Sequence, residues 1–211
     1  MLKGSNSDSI PVDSLAQIKK CASVLRTGGT AAFPTDTVYG LGADVYNDKA
    51  VEKIFTVKRR PLNLPLPILI AEMSQLNELA TDIPQVARKL ITKFWPGAFT
   101  IVFTKSTGFN SLALAGSNNV AVRMPGHALT LRLIKETGHP IVGTSANLHN
   151  RPAPLTAAEV REQLGTEVDF ILDGGTCPGG VESTIVEING DKTIILRKGA
   201  IPEKDLLEFL N

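Results

Sequence analysis

The chain has 211 residues, of which 43% are hydrophobic and 20% are charged. This composition excludes a disordered or low-complexity protein, and the length suits one α/β domain. The 22 Lys and Arg residues nearly balance the 21 Asp and Glu residues, giving a net charge of +1. A globally basic nucleic-acid-binding protein is therefore disfavoured, although a local basic patch stays possible.

The few cysteines and histidines restrict the possible chemistry further. Two cysteines are too few for a secreted disulfide scaffold, and three histidines without metal-binding spacing argue against zinc. The first residues lack the apolar segment of a signal peptide, and no apolar run approaches the roughly 20 residues that span a bilayer. We therefore expect a cytoplasmic protein.

The predicted elements alternate between helices and strands along the chain. Helices are predicted to begin at Asp13 or Ser14, at Asn47 or Asp48, at Ser74, at Pro84, at His127 and at Thr156, with a short one closing the chain. Strands are predicted over 30–33, 66–71, 99–104, 120–124, 140–143, 168–172, 184–188 and 193–196. Because the last two strands form a hairpin across Asn189-Gly190-Asp191, the sequence predicts one α/β domain with a mixed sheet.

Polar clusters follow several of these strands, where open α/β sheets place their ligands. The run from Pro34 to Gly42 offers hydroxyls, a carboxylate and two glycines, and is also compatible with an ordinary strand-end turn. Lys58-Arg59-Arg60 is either a solvated helix end or a phosphate clamp. Arg123 and Arg197 emerge from apolar strands, so each requires an anion, which is either a ligand or an internal carboxylate.

Two further segments carry hydroxyl and amide groups. Gly143 to Asn147 comes close to a serine nucleophile elbow but has Asn in place of the second Gly, so ligand hydrogen bonding or capping is the better interpretation. Glu182-Ser183-Thr184 follows a glycine-rich turn. The sequence contains neither a P-loop nor a Rossmann glycine pattern, and Cys177 is interpreted as a passive turn residue.

Taken in order, these segments resemble the YrdC-type threonylcarbamoyl-AMP synthase family. The family run P-T-[DE]-T-V-Y-G-L-G stands complete from Pro34 to Gly42. Six further motifs match: K-x-R-P at 58–61, W-P-G at 95–97, V-A-V-R-x-P at 120–125, T-S-A-N at 144–147, E-S-T-I-V at 182–186 and L-R-x-G at 196–199. The matches imply a YrdC-like fold, a twisted open mixed β-sheet with flanking helices and a concave, positively charged cleft.

The resemblance also implies a domain organisation and an activity. We expect an N-terminal extension over 1–12, the catalytic domain over 13–202 and a short C-terminal helix over 203–211, with no additional C-terminal domain. The implied enzyme is a nucleotidyltransferase that condenses L-threonine, bicarbonate and ATP to threonylcarbamoyl-AMP and pyrophosphate. The implied pathway passes the threonylcarbamoyl group to tRNA through a separate transferase. Mg²⁺ would arrive on the ATP phosphates, and no zinc, NAD, flavin or membrane is implied.

The resemblance implies candidate site residues. Lys58 and Arg60 would act on the phosphates as the catalytic pair. The implied ATP-binding set is Lys58, Arg60, Asn119, Ser145, Asn147 and Arg197, and the implied threonine-binding set is Thr37, Arg123 and Ser183. The chain departs from many relatives at Leu64, where Asn is common, and at Leu69, where His is common, while Asn63 falls one position early.

Two other functions remain open from the sequence. One is a non-catalytic YrdC-like protein that binds RNA or the ribosome, for which 5% aromatic residues offer few base-stacking platforms. The other is a carbamoyl-adenylate enzyme of the hydrogenase-maturation type. Enzymes of that type carry zinc-finger-like and acylphosphatase modules, which this sequence does not display.

Overall fold

A computed structural model describes residues 12–189 and 192–209. Residues 1–11 of the expected N-terminal extension, Gly190 and Asp191 of the predicted hairpin turn and the last two residues lie outside this range. The helices are α1 (Val12–Arg26), α2 (Asp48–Lys58), α3 (Met73–Leu79), α4 (Gln85–Phe94), α5 (Ala128–Thr137) and α6 (Ala157–Leu164). The strands are β1 (Ala31–Phe33), β2 (Gly40–Gly42), β3 (Ile68–Leu69), β4 (Phe99–Thr104), β5 (Asn119–Arg123), β6 (Ile141–Val142), β7 (Thr144–Ser145), β8 (Phe170–Ile171), β9 (Thr184–Asn189) and β10 (Lys192–Arg197).

The strands form two mixed sheets, so the predicted mixed α/β class is confirmed and the expected single sheet is refined. One sheet has the order β7-β2-β1-β8, and the other has the order β10-β9-β4-β5-β3-β6. In the six-stranded sheet β9 runs parallel to β4 and β3 runs parallel to β5, while the other neighbours are antiparallel. The predicted hairpin is confirmed as the antiparallel pair of β9 and β10.

Helix packing produces two apolar cores. Helix α1 packs against α5, and the buried side chains of Ile18, Leu25, Leu133 and Ile134 meet Phe33 of β1 between them. The apolar spacing in α1 is what the sequence predicts, although the helix begins at Val12 rather than after Asp13 or Ser14. A larger core lies around α2 and the six-stranded sheet and fixes the end of α2 beside the cleft described below.

Local capping explains where the site-bearing helices begin and end. The Asn47 side chain accepts a hydrogen bond from the backbone N–H of Ala50 at 3.1 Å, which caps α2 as predicted. Arg59 takes a left-handed conformation with φ of 52° and ends the helix directly after Lys58. At α6 the Thr156 hydroxyl accepts from Glu159 N–H, confirming the predicted cap.

Two predicted helix positions differ from the structure. Helix α3 begins after Glu72 rather than at Ser74, because Gln75 reaches back to the backbone N–H groups of Ala71 and Glu72. In place of the closing helix, Glu203–Asp205 and Leu207–Phe209 form two 3₁₀ turns. Across 12–189 and 192–209, no helix combines the length and apolar character required to cross a membrane.

Candidate active site

A cleft of about 720 Å³ lies where the two sheets meet, and residues from both sheets line it. Its walls come from the turn between β1 and β2, the end of α2, strands β3 and β5, the segment from 143 to 153, and residues 180–185 and 197–198. Eight of the nine sequence-predicted site residues line this cleft: Thr37, Lys58, Arg60, Arg123, Ser145, Asn147, Ser183 and Arg197. Residues as far apart in the chain as Thr37 and Arg197 therefore converge on one site.

Lys58 is buried, with 2% of the residue exposed, and its ammonium is enclosed by oxygen atoms. Nζ donates to the backbone oxygen of Ser145, to the backbone oxygen of Asn147 at 2.7 Å and to Asn147 Oδ1 at 3.3 Å. Three acceptors match the three N–H bonds of an ammonium. Burial, followed by the nearby charge of Arg60, lowers the pKa of Lys58 to about 8, while Glu182 opposes the shift.

Arg60 presents a guanidinium with few internal partners. Nε donates to the backbone oxygen of Leu64 at 3.4 Å, and Nη2 donates to that of Pro65 at 3.1 Å. Among the described residues it forms no ion pair with a carboxylate. Burial is the main cause that lowers the pKa of Arg60. Its remaining N–H groups are available to an anion in the cleft.

Arg123 is held from three sides at the end of β5. Nε donates to Gly97 O at 2.9 Å, Nη1 donates to Thr37 Oγ1 at 3.1 Å, and Nη2 donates to Asp36 Oδ1 at 2.6 Å. The internal salt bridge that the sequence left open is therefore present. Burial lowers the pKa of Arg123, and Asp36 opposes that shift. One N–H on each terminal nitrogen remains, which is the number that a ligand carboxylate uses in a bidentate contact.

The hydroxyl beside Arg123 belongs to a short relay. Thr35 Oγ1 donates to Val38 O at 2.6 Å, so Thr37 must supply the proton in the 2.9 Å contact between the Thr35 and Thr37 hydroxyls. Thr37 accepts from Arg123 at the same time. This relay fixes the orientation of Thr37, which is 1% exposed, towards the cleft.

Arg197 and Ser183 form a second polar group in the cleft lining. Arg197 donates twice to the backbone oxygen of Ser183 and once to its hydroxyl, while Nη1 donates to Glu182 Oε2 at 2.7 Å. The Ser183 hydroxyl also lies 2.8 Å from Thr100 Oγ1. Arg197 thus ties the Glu182-Ser183 segment to β10 and keeps one N–H unassigned on Nη1.

The Asn147 side chain holds the segment from 147 to 151, which lines the cleft, through hydrogen bonds to its backbone. Its Nδ2 donates to the backbone oxygens of Leu148 at 2.9 Å and Arg151 at 2.6 Å, while Oδ1 accepts from Lys58. Gln163 of α6 holds the same segment from outside through Leu148 and Pro152. The Asn147 side chain is therefore engaged within the protein, which supports the capping role considered for it in the sequence.

Asn119 is the sequence-predicted residue that the structure does not bring to the cleft. It begins β5, and its Nδ2 donates to Glu187 Oε1 at 2.9 Å. It is not among the residues that line the cleft. Asn63 is exposed and also lies outside the lining. Leu69 lines the cleft as an apolar contact, packed against Gly143, where a Cβ would lie 2.3 Å from Leu69 Cγ.

Several lining residues were missed by the sequence analysis. Thr100, His149, Arg151, Glu182 and Lys198 line the cleft without having been assigned a role. Glu182 stood in a matched motif next to Ser183, which was a usable signal, whereas Thr100 and Arg151 had none. Six lining side chains are Lys or Arg, and among the residues that line the cleft in the described part of the chain Glu182 is the one carboxylate.

Comparison with known proteins gives consistent matches over nearly the whole chain. A relative from Bacillus subtilis named threonylcarbamoyl-AMP synthase is 42% identical over 191 residues, covering 90% of this chain and 55% of that protein. The crystal structure of Pyrococcus abyssi Sua5 complexed with L-threonine superposes with a TM-score of 0.88 at 40% identity, covering 92% of this chain and 57% of that chain. This chain therefore spans about half the length of these two relatives.

Other relatives are similar in length to this chain. A protein from Mycobacterium tuberculosis named putative threonylcarbamoyl-AMP synthase is 33% identical over 193 residues, and the match covers 92% of this chain and 88% of that protein. A family model named for Sua5, YciO and YrdC, and described as telomere recombination, matches residues 23–199. Because this match takes in every motif that lines the cleft, the chain belongs to the Sua5/YciO/YrdC family.

Proposed function

We propose that this chain is an L-threonylcarbamoyladenylate synthase. It would convert L-threonine, bicarbonate and ATP into threonylcarbamoyl-AMP, pyrophosphate and water. The observation that carries the proposal is the convergence of Lys58, Arg60, Arg123, Thr37 and Ser183 on one cleft. Relatives named for this activity, and one solved with L-threonine bound, support it.

The proposed reaction requires two bond-forming steps. The threonine amine attacks the carbon of bicarbonate, and water leaves as the carbamate forms. A carbamate oxygen then attacks the α-phosphorus of ATP while the bond to the bridging oxygen breaks, so pyrophosphate carries away the electron pair. Neither step requires a protein nucleophile, and both depend on positioning and on stabilising negative charge.

The proposed phosphate side of the site is the end of α2. Arg60 would donate its unassigned N–H groups to the polyphosphate. The buried positive charge of Lys58 would attract the same phosphates electrostatically. Ser145, Asn147 and Arg197 would lie on the nucleotide side. The described residues provide no group of three His, Cys, Asp or Glu side chains able to hold a metal ion. We propose that Mg²⁺ enters with the ATP phosphates, and no step is assigned to an ion held by the protein.

The proposed threonine side is the part of the lining around Arg123. Arg123 retains two N–H bonds for the substrate carboxylate, and Thr37 and Ser183 stand beside it with oriented hydroxyls. A site that hydrogen-bonds the threonine hydroxyl can separate Thr from Val by about 10⁴-fold, whereas excluding Ser depends on a methyl pocket worth about 10–200-fold. The product would serve a separate transferase that modifies tRNA, in the cytoplasm.

The test is pyrophosphate release from MgATP by the purified chain, with and without L-threonine and bicarbonate, together with mass spectrometry of the product. We expect release that depends on both co-substrates and a product with the mass of threonylcarbamoyl-AMP. No release, with steeply salt-dependent tRNA binding instead, would replace this proposal with the RNA-binding function.

A pair of neighbouring variants locates the phosphate site. We expect Arg60→Ala to raise the ATP KM by about 10–100-fold, the range for a lost charged hydrogen bond, without loss of folding. Arg59→Ala is the matched control, because Arg59 is exposed and does not line the cleft. Equal ATP KM values in the two variants would contradict the assignment of Arg60.

A further inference from the structure

Among the described residues that line the cleft, Glu182 is the one carboxylate, and the other side chains are basic or neutral. Its Oε2 accepts from Arg197 at 2.7 Å, and the side chain remains 40% exposed. Oε1 forms no hydrogen bond within the described residues. Its partner Arg197 and its neighbour Ser183 line the same cleft, one proposed for the nucleotide and the other for threonine. The charge of Glu182 also opposes the lowering of the pKa of Lys58, Arg60 and Arg123.

The backbone around Glu182 is fixed, which makes the position of its carboxylate a property of the fold. The backbone oxygen of Glu182 accepts from Ala200 N–H at 2.9 Å. A Cβ at Gly199 would lie 2.4 Å from that oxygen, so the two segments are in close contact. Ser183, the next residue, contacts Thr100 of β4, and Thr100 lies next to the Ile101–Val122 register pair that precedes Arg123 on β5.

An α-amino acid substrate presents an anion and a cation on one carbon atom. In the proposed site Arg123 meets the carboxylate, and Thr37 and Ser183 are available to the hydroxyl. None of these three residues carries a negative charge to pair with the ammonium, and six basic side chains in the lining would repel it. A site that binds the zwitterion favours a carboxylate for the ammonium, and Asp36, which pairs with Arg123, is not among the residues that line the cleft, whereas Glu182 is.

We propose that Glu182 receives the α-ammonium of the amino-acid substrate and makes the site selective for amino acids over hydroxy acids. The inference rests on the proposed function. Oε2 stays with Arg197, and Oε1 accepts from the ammonium. The negative charge of Glu182 thereby reduces the repulsion between the basic side chains of the lining and the substrate ammonium.

The test combines a protein variant with a ligand that lacks the amine. Glu182→Gln removes the charge but keeps an oxygen for Arg197. L-threonine and (R)-3-hydroxybutanoate share a carboxylate and a β-hydroxyl, and only threonine has the ammonium. Glu136→Gln is the matched control, because Glu136 pairs with Arg132 on α5, away from the cleft. Binding is measured by calorimetry, with circular dichroism to verify folding.

We expect Glu182→Gln to weaken threonine binding by about 10–100-fold, the range for a charge-assisted hydrogen bond, and to change (R)-3-hydroxybutanoate binding by less than about threefold. Glu136→Gln should bind both ligands like the wild type. Unchanged threonine binding, or an equal loss for both ligands, would overturn the inference while leaving the proposed function intact. Failure of the wild type to bind threonine would overturn the proposed function itself.

Discussion

Asp36 and Arg123 form a nearly buried ion pair whose charge can be removed with little change of shape. Asp36 Oδ1 accepts from Arg123 Nη2 at 2.6 Å and from Gly126 N–H at 2.9 Å, while Oδ2 has no hydrogen bond within the described residues. An asparagine can keep its oxygen in the Oδ1 position and place its amide where Oδ2 lies. Asp36→Asn therefore removes the negative charge and retains both acceptor contacts.

The expected loss of stability follows from burial. The two side chains are 8% and 16% exposed, so water screens their attraction weakly. Opposite charges about 4 Å apart attract by about 4 kcal/mol at an effective dielectric constant near 20, and removing one partner of a buried pair costs about 3–5 kcal/mol. We expect Asp36→Asn to lower the free energy of unfolding by about 3 kcal/mol. For a chain of this size that corresponds to a Tm lower by roughly 6–12 °C.

Thermal unfolding at neutral pH measures this loss, and Glu203→Gln provides the control. Glu203 contacts Lys198 at 2.6 Å, the same distance, but these side chains are 47% and 78% exposed. Because water screens such a pair, Glu203→Gln should leave the Tm close to that of the wild type. If both variants lose the same amount, burial does not set the strength of the Asp36–Arg123 pair and the reasoning is refuted.

Two further predictions concern the cleft wall. Because burial lowers the pKa of Lys58 to about 8, raising the pH through that value removes its positive charge. The ATP Kd of the wild type should therefore rise between pH 7 and 9, whereas that of Lys58→Arg should stay level. An equal rise in both proteins would exclude Lys58 as the titrating group. Gly143→Ala should lower the Tm, because the added Cβ would lie 2.3 Å from Leu69 Cγ. Combining it with Leu69→Ala should make the decrease in Tm caused by Gly143→Ala smaller. An equally large decrease in the presence of Leu69→Ala would contradict the contact.

Much of the fold could be predicted because local signals determine it. Asn47 caps α2, Thr156 caps α6 and the apolar run at 99–104 forms β4 with the predicted bounds. Strand β2 was missed because Gly40-Leu41-Gly42 has little intrinsic preference for a strand. Strand β2 pairs with β1, and both Gly40 and Gly42 lie against the Phe33 ring of β1. A Cβ at either position would fall 2.8 Å from that ring, so the close pairing requires glycine.

The site shows the same division between local and long-range information. The ordered motifs correctly predicted eight residues of the cleft lining, because these motifs lie near the ends of strands or helices. Motif order could not reveal that Asn119 faces Glu187 of the hairpin strand, since this depends on how β4, β5 and β9 pair. Nor could it decide between a ligand and an internal carboxylate for Arg123. The structure shows that Arg123 donates to the internal carboxylate of Asp36 and leaves two of its N–H groups available for a ligand carboxylate.

Four of the six basic residues that line the cleft have a proposed role in binding, and they differ in how their charges are compensated. Arg123 and Arg197 each have a carboxylate partner, Asp36 and Glu182 respectively. Lys58 and Arg60 contact only carbonyl and amide oxygens among the described residues. Among these four residues, the positive charge without a carboxylate partner therefore lies at the end of α2. A triphosphate carries several negative charges and an amino-acid carboxylate carries one, so electrostatics alone would direct the nucleotide phosphates to Lys58 and Arg60. The weaker anion would go to Arg123, in agreement with the proposed positions of the two substrates.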